Sequence, residues 1–259
     1  MRVVFVGAGR LATQLAKALR SAGHDITAVY SRTMDSATAL TRLVGGTATD
    51  SIDALPLQAD AFIIAVKDSV LTDVIGQLAP QRSGQPLFHT AGSVPMSVFG
   101  EHECHGVIYP MQTFSKERDV DFSCVPFFIE GSNERACSIA RQLAGSVSRN
   151  VTLLSSEQRR YLHLAAVFAC NFANHCYSLA AELLERHGLP FSAMLPLIDE
   201  TAQKVHDMSP IQAQTGPAVR YDENVMQAQL ELLGDDTMMQ DVYRLMSSSI
   251  HNTHIHNND

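Results

Sequence analysis

The chain has 259 residues, 46% of them hydrophobic, and a net charge of −8 at pH 7. That length gives ample core for one large domain or two modest ones. The acidic balance, with no basic run to override it, counts against nucleic acid and against a membrane surface as partners.

Val3, Val4, Phe5 and Val6 form a continuous apolar run, the pattern of a parallel strand covered on both faces. It enters Gly7-Ala8-Gly9-Arg10-Leu11-Ala12, a GxGxxA fingerprint followed by an amphipathic helix over 13–22. Gly7 permits the sharp turn, and Gly9 lets a pyrophosphate approach the backbone. Ala12 allows tight helix–strand packing, and the helix aims its free N–H groups and positive dipole end at the same spot. A second strand over 26–30 ends in Ser31-Arg32-Thr33, where an NAD enzyme places an acid. A hydroxyl and a guanidinium suit a phosphate, so the expected cofactor is NADP; Asp35 is the acid that would serve NAD instead.

A short helix over 35–43 and a strand over 48–51 lead to the strong strand 61–66, whose end Ala65-Val66 runs into Lys67-Asp68. Doubly wound sheets bind ligands beyond the carboxyl ends of their strands, which places these residues at the nicotinamide side of the cofactor. Asp68 either lines that site or N-caps the helix over 70–78. Strands over 86–89 and 106–109 end in His89-Thr90-Ala91-Gly92-Ser93 and Pro110-Met111-Gln112-Thr113-Phe114. Thr90 is a cofactor candidate there, and His89, Ser93 and Gln112 are substrate candidates in one crevice; any one of them taken alone reads first as capping or turning the chain. Glu101-His102-Glu103-Cys104-His105 lacks the HExxH spacing, so no metal is expected. A strand over 126–130, a helix over 133–144 and a strand over 150–154 close the sheet.

From Ser155-Ser156-Glu157, a helix N-terminus with a hydroxyl cap and an acid in the first turn, only helical periodicity remains. One helix runs to 187 without Gly or Pro, and others span 191–206, 222–233 and 236–247, with a His-rich tail over 251–259 expected to fray. The expected architecture is therefore α/β, a doubly wound Rossmann-type dinucleotide-binding domain over 1–154, followed by an all-α substrate and dimerisation domain over 155–259. The longest apolar stretch, over 162–173, is broken by His163 and Asn171, against a transmembrane span. Five cysteines without CxxC spacing suit a reducing compartment. With a strand opening at the second residue in place of a signal peptide, the expected location is cytoplasmic.

On the long helix, Leu162, Ala165, Ala166, Ala169, Ala173, Cys176 and Ala180 make a small-residue stripe suited to close packing against another helix, within the domain or across a dimer. Beside it, His163, Cys170, Asn171 and Asn174 fall within roughly a quarter turn of one another at helical spacing. Burying such groups unpaired costs about 1–3 kcal/mol each, so the strip faces water, satisfies backbone or lines a pocket. Lining an interdomain cleft, His163 would act as acid–base, with Asn171 and Asn174 holding the substrate oxygen. Thr215-Gly216-Pro217 is a rigid loop, Asp222 suits a helix N-terminus, and Arg220 either binds an anionic substrate group or pairs with Asp222.

Several motifs occur together and in order: Val6-Gly7-Ala8-Gly9-Arg10-Leu11-Ala12, Ser31-Arg32, Ala65-Val66-Lys67-Asp68, His89-Thr90-Ala91-Gly92, Tyr109 to Phe114, Tyr161 to Ala166 with Asn171, and Thr215-Gly216-Pro217 with Arg220 and Asp222. In this the chain resembles the bacterial NADP oxidoreductases in which a Rossmann-like domain precedes a helical domain similar to the C-terminal domain of phosphogluconate dehydrogenase. Pyrroline-carboxylate reductases, ketopantoate reductases, prephenate dehydrogenases and deazaflavin-dependent NADP reductases are wider kin. The resemblance implies the fold, NADP and a homodimer formed through the helical domain, but no particular substrate. Two positions depart from the pattern: Tyr109 stands where His is expected before the Pro, and Tyr221 where Gly is expected. Two functions follow as expectations. One is hydride transfer between NADP(H) and a small carbonyl, imine or hydroxyl compound; the other is a non-catalytic NADP-binding redox sensor that engages a partner.

Overall fold

Alternate residues of a strand point to opposite faces, and the apolar run at the head of the chain uses both. In the computed structural model, which describes residues 1–115 and 118–256, that run is strand β1 (Arg2–Val6). Val3 and Phe5 enter a core layer with Leu15, Leu40 and Leu143, while Val4 and Val6 enter the opposite layer with Leu71, Ile75 and Leu87. Burying each such side chain contributes about 1.5–3 kcal/mol. The first layer is covered by α1 (Arg10–Ser21), α2 (Met34–Val44) and α4 (Glu134–Val147), and the second by α3 (Asp68–Leu78).

The remaining strands are β2 (Asp25–Tyr30), β3 (Thr47–Thr49), β4 (Ala61–Ile64), β5 (Leu87–His89), β6 (His105–Pro110), β7 (Phe127–Gly131) and β8 (Val151–Leu153). They form one sheet in the order β3-β2-β1-β4-β5-β6-β7-β8. Every neighbouring pair is parallel except β6–β7, which pairs antiparallel from Gly106↔Gly131 to Pro110↔Phe127. The strand order reverses at β1, between β2 and β4, and such a switch point opens a crevice at the carboxyl ends of the strands. This is the Rossmann-type sheet expected from the sequence.

The chain divides into two units, Met1–Asn171 and Phe172–Asp259. A division at 154 would have placed α5 (Ser156–Ala166) with the helices that follow. It belongs instead with the sheet, because Arg159 and His163 are fastened to sheet residues. The long helix is also not uniform: a π-helical segment, Val167–Phe172, lies between α5 and α6 (Ala173–Arg186). A π turn takes more residues per revolution than an α turn, so the quarter-turn arithmetic that grouped His163 with Cys170, Asn171 and Asn174 does not hold across it.

The second unit continues with α7 (Leu195–Asp207), α8 (Pro210–Ala213), α9 (Pro217–Arg220), α10 (Glu223–Leu232) and α11 (Thr237–His256). The His-rich tail does not fray as expected. It is helical through His256, and the His251 ring packs tilted against Tyr221 at 4.4 Å between ring centroids; residues 257–259 of that tail lie outside the described residues. No described helix is long and apolar enough to cross a membrane.

Candidate active site

The fingerprint folds as its residues dictate. Gly7 adopts φ 121°, and a Cβ there would stand 2.3 Å from the Ala65 carbonyl oxygen. Its N–H donates to the Tyr30 carbonyl at 2.8 Å, and the Ala65 N–H donates to Val6 at 2.8 Å, so the ends of β1, β2 and β4 close with backbone alone. Gly9 is the opposite case: a Cβ there would meet nothing within 4 Å. It is the N-cap of α1 and supplies no capping side chain, which leaves first-turn N–H groups for an outside acceptor.

A groove of about 450 Å³ opens above this turn, lined among others by Gly7, Gly9, Ser31, Arg32, Ala65 and Val66. Arg10 is exposed on the first turn of α1, while Leu11 packs partly into the core. Arg32 is exposed and makes no salt bridge among the described residues, so its charge is available to a phosphate. Asp35 is exposed in the first turn of α2 and is not among the groove residues. An open anion cradle beside an unneutralised guanidinium fits a dinucleotide carrying an extra phosphate.

The ends of β4, β5 and β6 carry the second half of the site. Asp68 lies inside α3, whose N-cap is Lys67, so it does not cap the helix; its carboxylate accepts the Ser93 hydroxyl and ties the β4 and β5 ends together. On β6, Tyr109 is buried, and its Oη lies 2.9 Å from His163 Nδ1. The two rings meet edge to face at 5.8 Å and 75°. They enclose Gly92, where a Cβ would lie 2.5 Å from His163 Nδ1 and 2.9 Å from Tyr109 Cζ. Burial pushes the Tyr109 phenol pKa up, Arg159 opposes it, and Cys170 and Asp68 add to it. The phenol therefore carries its proton at neutral pH, and the imidazole tautomer decides which of Tyr109 Oη and His163 Nδ1 donates in the hydrogen bond they share.

His89, expected at the substrate, is wholly buried. Its Nδ1 accepts the Ala91 N–H at 3.1 Å, and its ring stacks on Phe99, so it shapes the loop from behind. Burial holds its pKa down at about 3, which keeps the ring neutral. Thr90 is buried and gives its N–H to Ile64. Gln112 is exposed but turned onto its own loop, where its Oε1 accepts the Thr113 N–H at 2.8 Å. Asn171 is exposed on the π segment. Within the second unit, Asn174 is exposed on the first turn of α6, and Arg220 is exposed at the end of α9 without a salt bridge among the described residues. Arg220 does not pair with Asp222, whose carboxylate caps α10 by accepting the Val225 N–H at 3.4 Å. In the Glu101–His105 segment, His102 Nε2 bonds the Gln85 carbonyl at 2.7 Å and His105 Nδ1 the His102 carbonyl at 2.5 Å.

Residues 2–90 match the family model described as NADP oxidoreductase, coenzyme F420-dependent, and residues 125–250 match that of a domain of unknown function, DUF2520. A solved structure from Bacteroides fragilis, described as a "putative NADP oxidoreductase", is 49% identical, covers 97% of this chain and 98% of its own, and superposes with a TM-score of 0.92. The chain belongs to this family of NADP oxidoreductases. The oxidoreductase shares its fold with an imine reductase from Myxococcus stipitatus in complex with NADP+, at 18% identity and a TM-score of 0.72, covering 97% and 93% of the two chains. It shares it also with a pyrroline-5-carboxylate reductase from Coxiella burnetii, at 17% identity and a TM-score of 0.60, covering 98% and 97%. No curated protein matches it.

NADP is the cofactor of this family, and the Gly7–Gly9 turn with Ser31 and Arg32 is where this oxidoreductase would hold it. Sequence reading passed over two parts of the site. Tyr109 stood out only as a departure from a pattern, and Arg159 was not singled out at all. The spacing of Arg159 and His163, four residues apart on one helix, was the available signal, since such residues share a face.

Proposed function

We propose that the oxidoreductase reduces a small imine or carbonyl compound, with Tyr109 as the proton donor and His163 as the group that supplies it. The observation that carries this reading is the 2.9 Å hydrogen bond between Tyr109 Oη and His163 Nδ1 beside Gly92, at the strand ends where a doubly wound sheet binds its ligands. When bound, NADPH supplies the hydride. The chain's own part is to deliver a proton to the nitrogen or oxygen of the double bond as its carbon takes up hydride. The Tyr109 phenol, protonated at neutral pH, gives that proton, and protonated His163 replaces it through Nδ1. Asp68 and Ser93 fix the neighbouring loop. The imine reductase neighbour with NADP+ supports the reaction class, and the family model's coenzyme F420 adds a deazaflavin to the compounds to be tried.

The test is NADPH oxidation over a panel of cyclic imines, ketones, aldehydes and a deazaflavin. On the compound turned over, Tyr109→Phe and His163→Ala each lower kcat about 100-fold or more while leaving NADPH binding intact. Undiminished turnover in both variants overturns the assignment. Failure of the entire panel, together with NADPH-dependent association with another protein, favours the redox-sensor reading instead. We further propose that the protein is a homodimer joined through its helical unit.

A further inference from the structure

Arg159 has a side chain only 1% exposed, and every direction of its guanidinium is used. Nε donates to the Ala91 carbonyl at 3.3 Å, Nη2 to the Val94 carbonyl and to Ser156 Oγ at 3.4 Å, and Nη1 to Glu130 Oε2 at 2.6 Å. Glu130, on β7, also accepts the Ser156 N–H at 3.0 Å and the Ser156 hydroxyl at 2.7 Å. That hydroxyl in turn accepts the Met96 N–H at 2.8 Å. One largely buried ion pair thus joins β7, the first turn of α5 and the loop from Ala91 to Met96.

The loop it grips is the one His163 rests on. Ala91 is held at both of its backbone polar groups, its N–H by His89 and its carbonyl by Arg159. The next residue, Gly92, leaves no room for a methyl group against His163 and Tyr109. Arg159 and His163 are one turn apart on the same face of α5, so any shift at Arg159 moves the His163 ring relative to Tyr109. We propose that Arg159, clamped by Glu130, is a positioning residue that sets the Tyr109–His163 hydrogen bond. The inference rests on the reading of that pair as the proton donor.

A purely structural ion pair would predict something different, since exchanging both partners for uncharged groups of similar size is often neutral or stabilising. The discriminating variants are therefore Arg159→Lys, which keeps the charge beside Glu130 but not the planar fork of donors, and the double variant Arg159→Met with Glu130→Gln, which leaves no buried charge unpaired. Two readouts are followed after cooperative unfolding and NADPH binding are verified: kcat against KM on the compound found by the panel, and the imidazole nitrogen resonances of His163, assigned by their loss in His163→Ala. The expected result is a fall in kcat of about tenfold or more with KM little changed, smaller in the lysine variant. The His163 resonances should move in the same direction as in Tyr109→Phe. If a folded, NADPH-binding variant keeps both the parent kcat and the parent His163 resonances, the proposal fails. If Tyr109→Phe retains full activity, it is the catalytic reading that fails, and the resonances still decide whether Arg159 positions the pair.

Discussion

At Gly7 and Gly9 the same substitution has opposite physical consequences. Alanine at Gly7 must adopt φ 121° and places a methyl carbon 2.3 Å from a backbone oxygen. The backbone strain alone costs about 1–3 kcal/mol, and the clash adds to it, so Gly7→Ala should lower the melting temperature as well as NADPH binding. Alanine at Gly9 meets nothing in the protein. Gly9→Ala should melt like the parent and lose only affinity for the cofactor, because its methyl group occupies the approach to the α1 N–H groups. Equal loss of stability in both variants would refute this division. Arg32→Ala should weaken NADPH binding by about tenfold and leave NADH binding unchanged, measured by titration with each nucleotide. The fingerprint was legible in the sequence because its parts are consecutive and each acts through the backbone. The Tyr109–His163 pair was not, because its members are 54 residues apart and meet only once β6 and α5 are packed.

The helix that carries His163 shows how periodicity misleads at the scale of an element. One uninterrupted α-helix was a fair reading of a run without Gly or Pro, yet the Val167–Phe172 segment is π-helical, and a change of pitch leaves no signature in composition. The strand β5 and its loop carry a pH dependence that follows from the fold. His89 is held neutral, its pKa pushed down to about 3 by burial first and by the nearby Arg159 charge second, against an ordinary 6.5. Between those values the unfolded chain binds one more proton at this ring than the folded chain. Stability should therefore fall as pH drops from 6.5 towards 3, by up to about 1.4 kcal/mol per pH unit from this group. Above 6.5 the ring is neutral in both states and contributes no slope. His24 and His105 are displaced in the same direction by burial. His89→Asn keeps an acceptor near the Ala91 N–H but cannot titrate. Denaturant unfolding across this pH range should lose about one proton's worth of slope in that variant, and an unchanged slope would exclude His89 as the source.

For the molecule as a whole, the two units differ in what they bury. The sheet unit has a core layer on each face. In the helical unit, Ala218 and Met239 are the only buried apolar residues among the described ones. The same unit exposes Leu189, Leu197, Leu232, Met238, Leu245 and Met246, with Leu232 at 78% and Leu245 at 72%. It also has an apolar groove of about 360 Å³ lined by Leu179, Leu183, Val242, Met246 and Ile250, among others. The apolar surface that so thin a core leaves exposed is of the kind obligate dimers cover. A second copy of the chain is the occupant that the family resemblance implies. Sedimentation should therefore return twice the 28.3 kDa chain mass, and the melting temperature should rise with protein concentration, as mass action requires for coupled folding and association. Leu245→Glu with Met246→Glu should split the dimer, because each buried apolar side chain lost removes about 1.5–3 kcal/mol. A parent protein that sediments as a single chain and melts at the same temperature at every concentration would rule the dimer out.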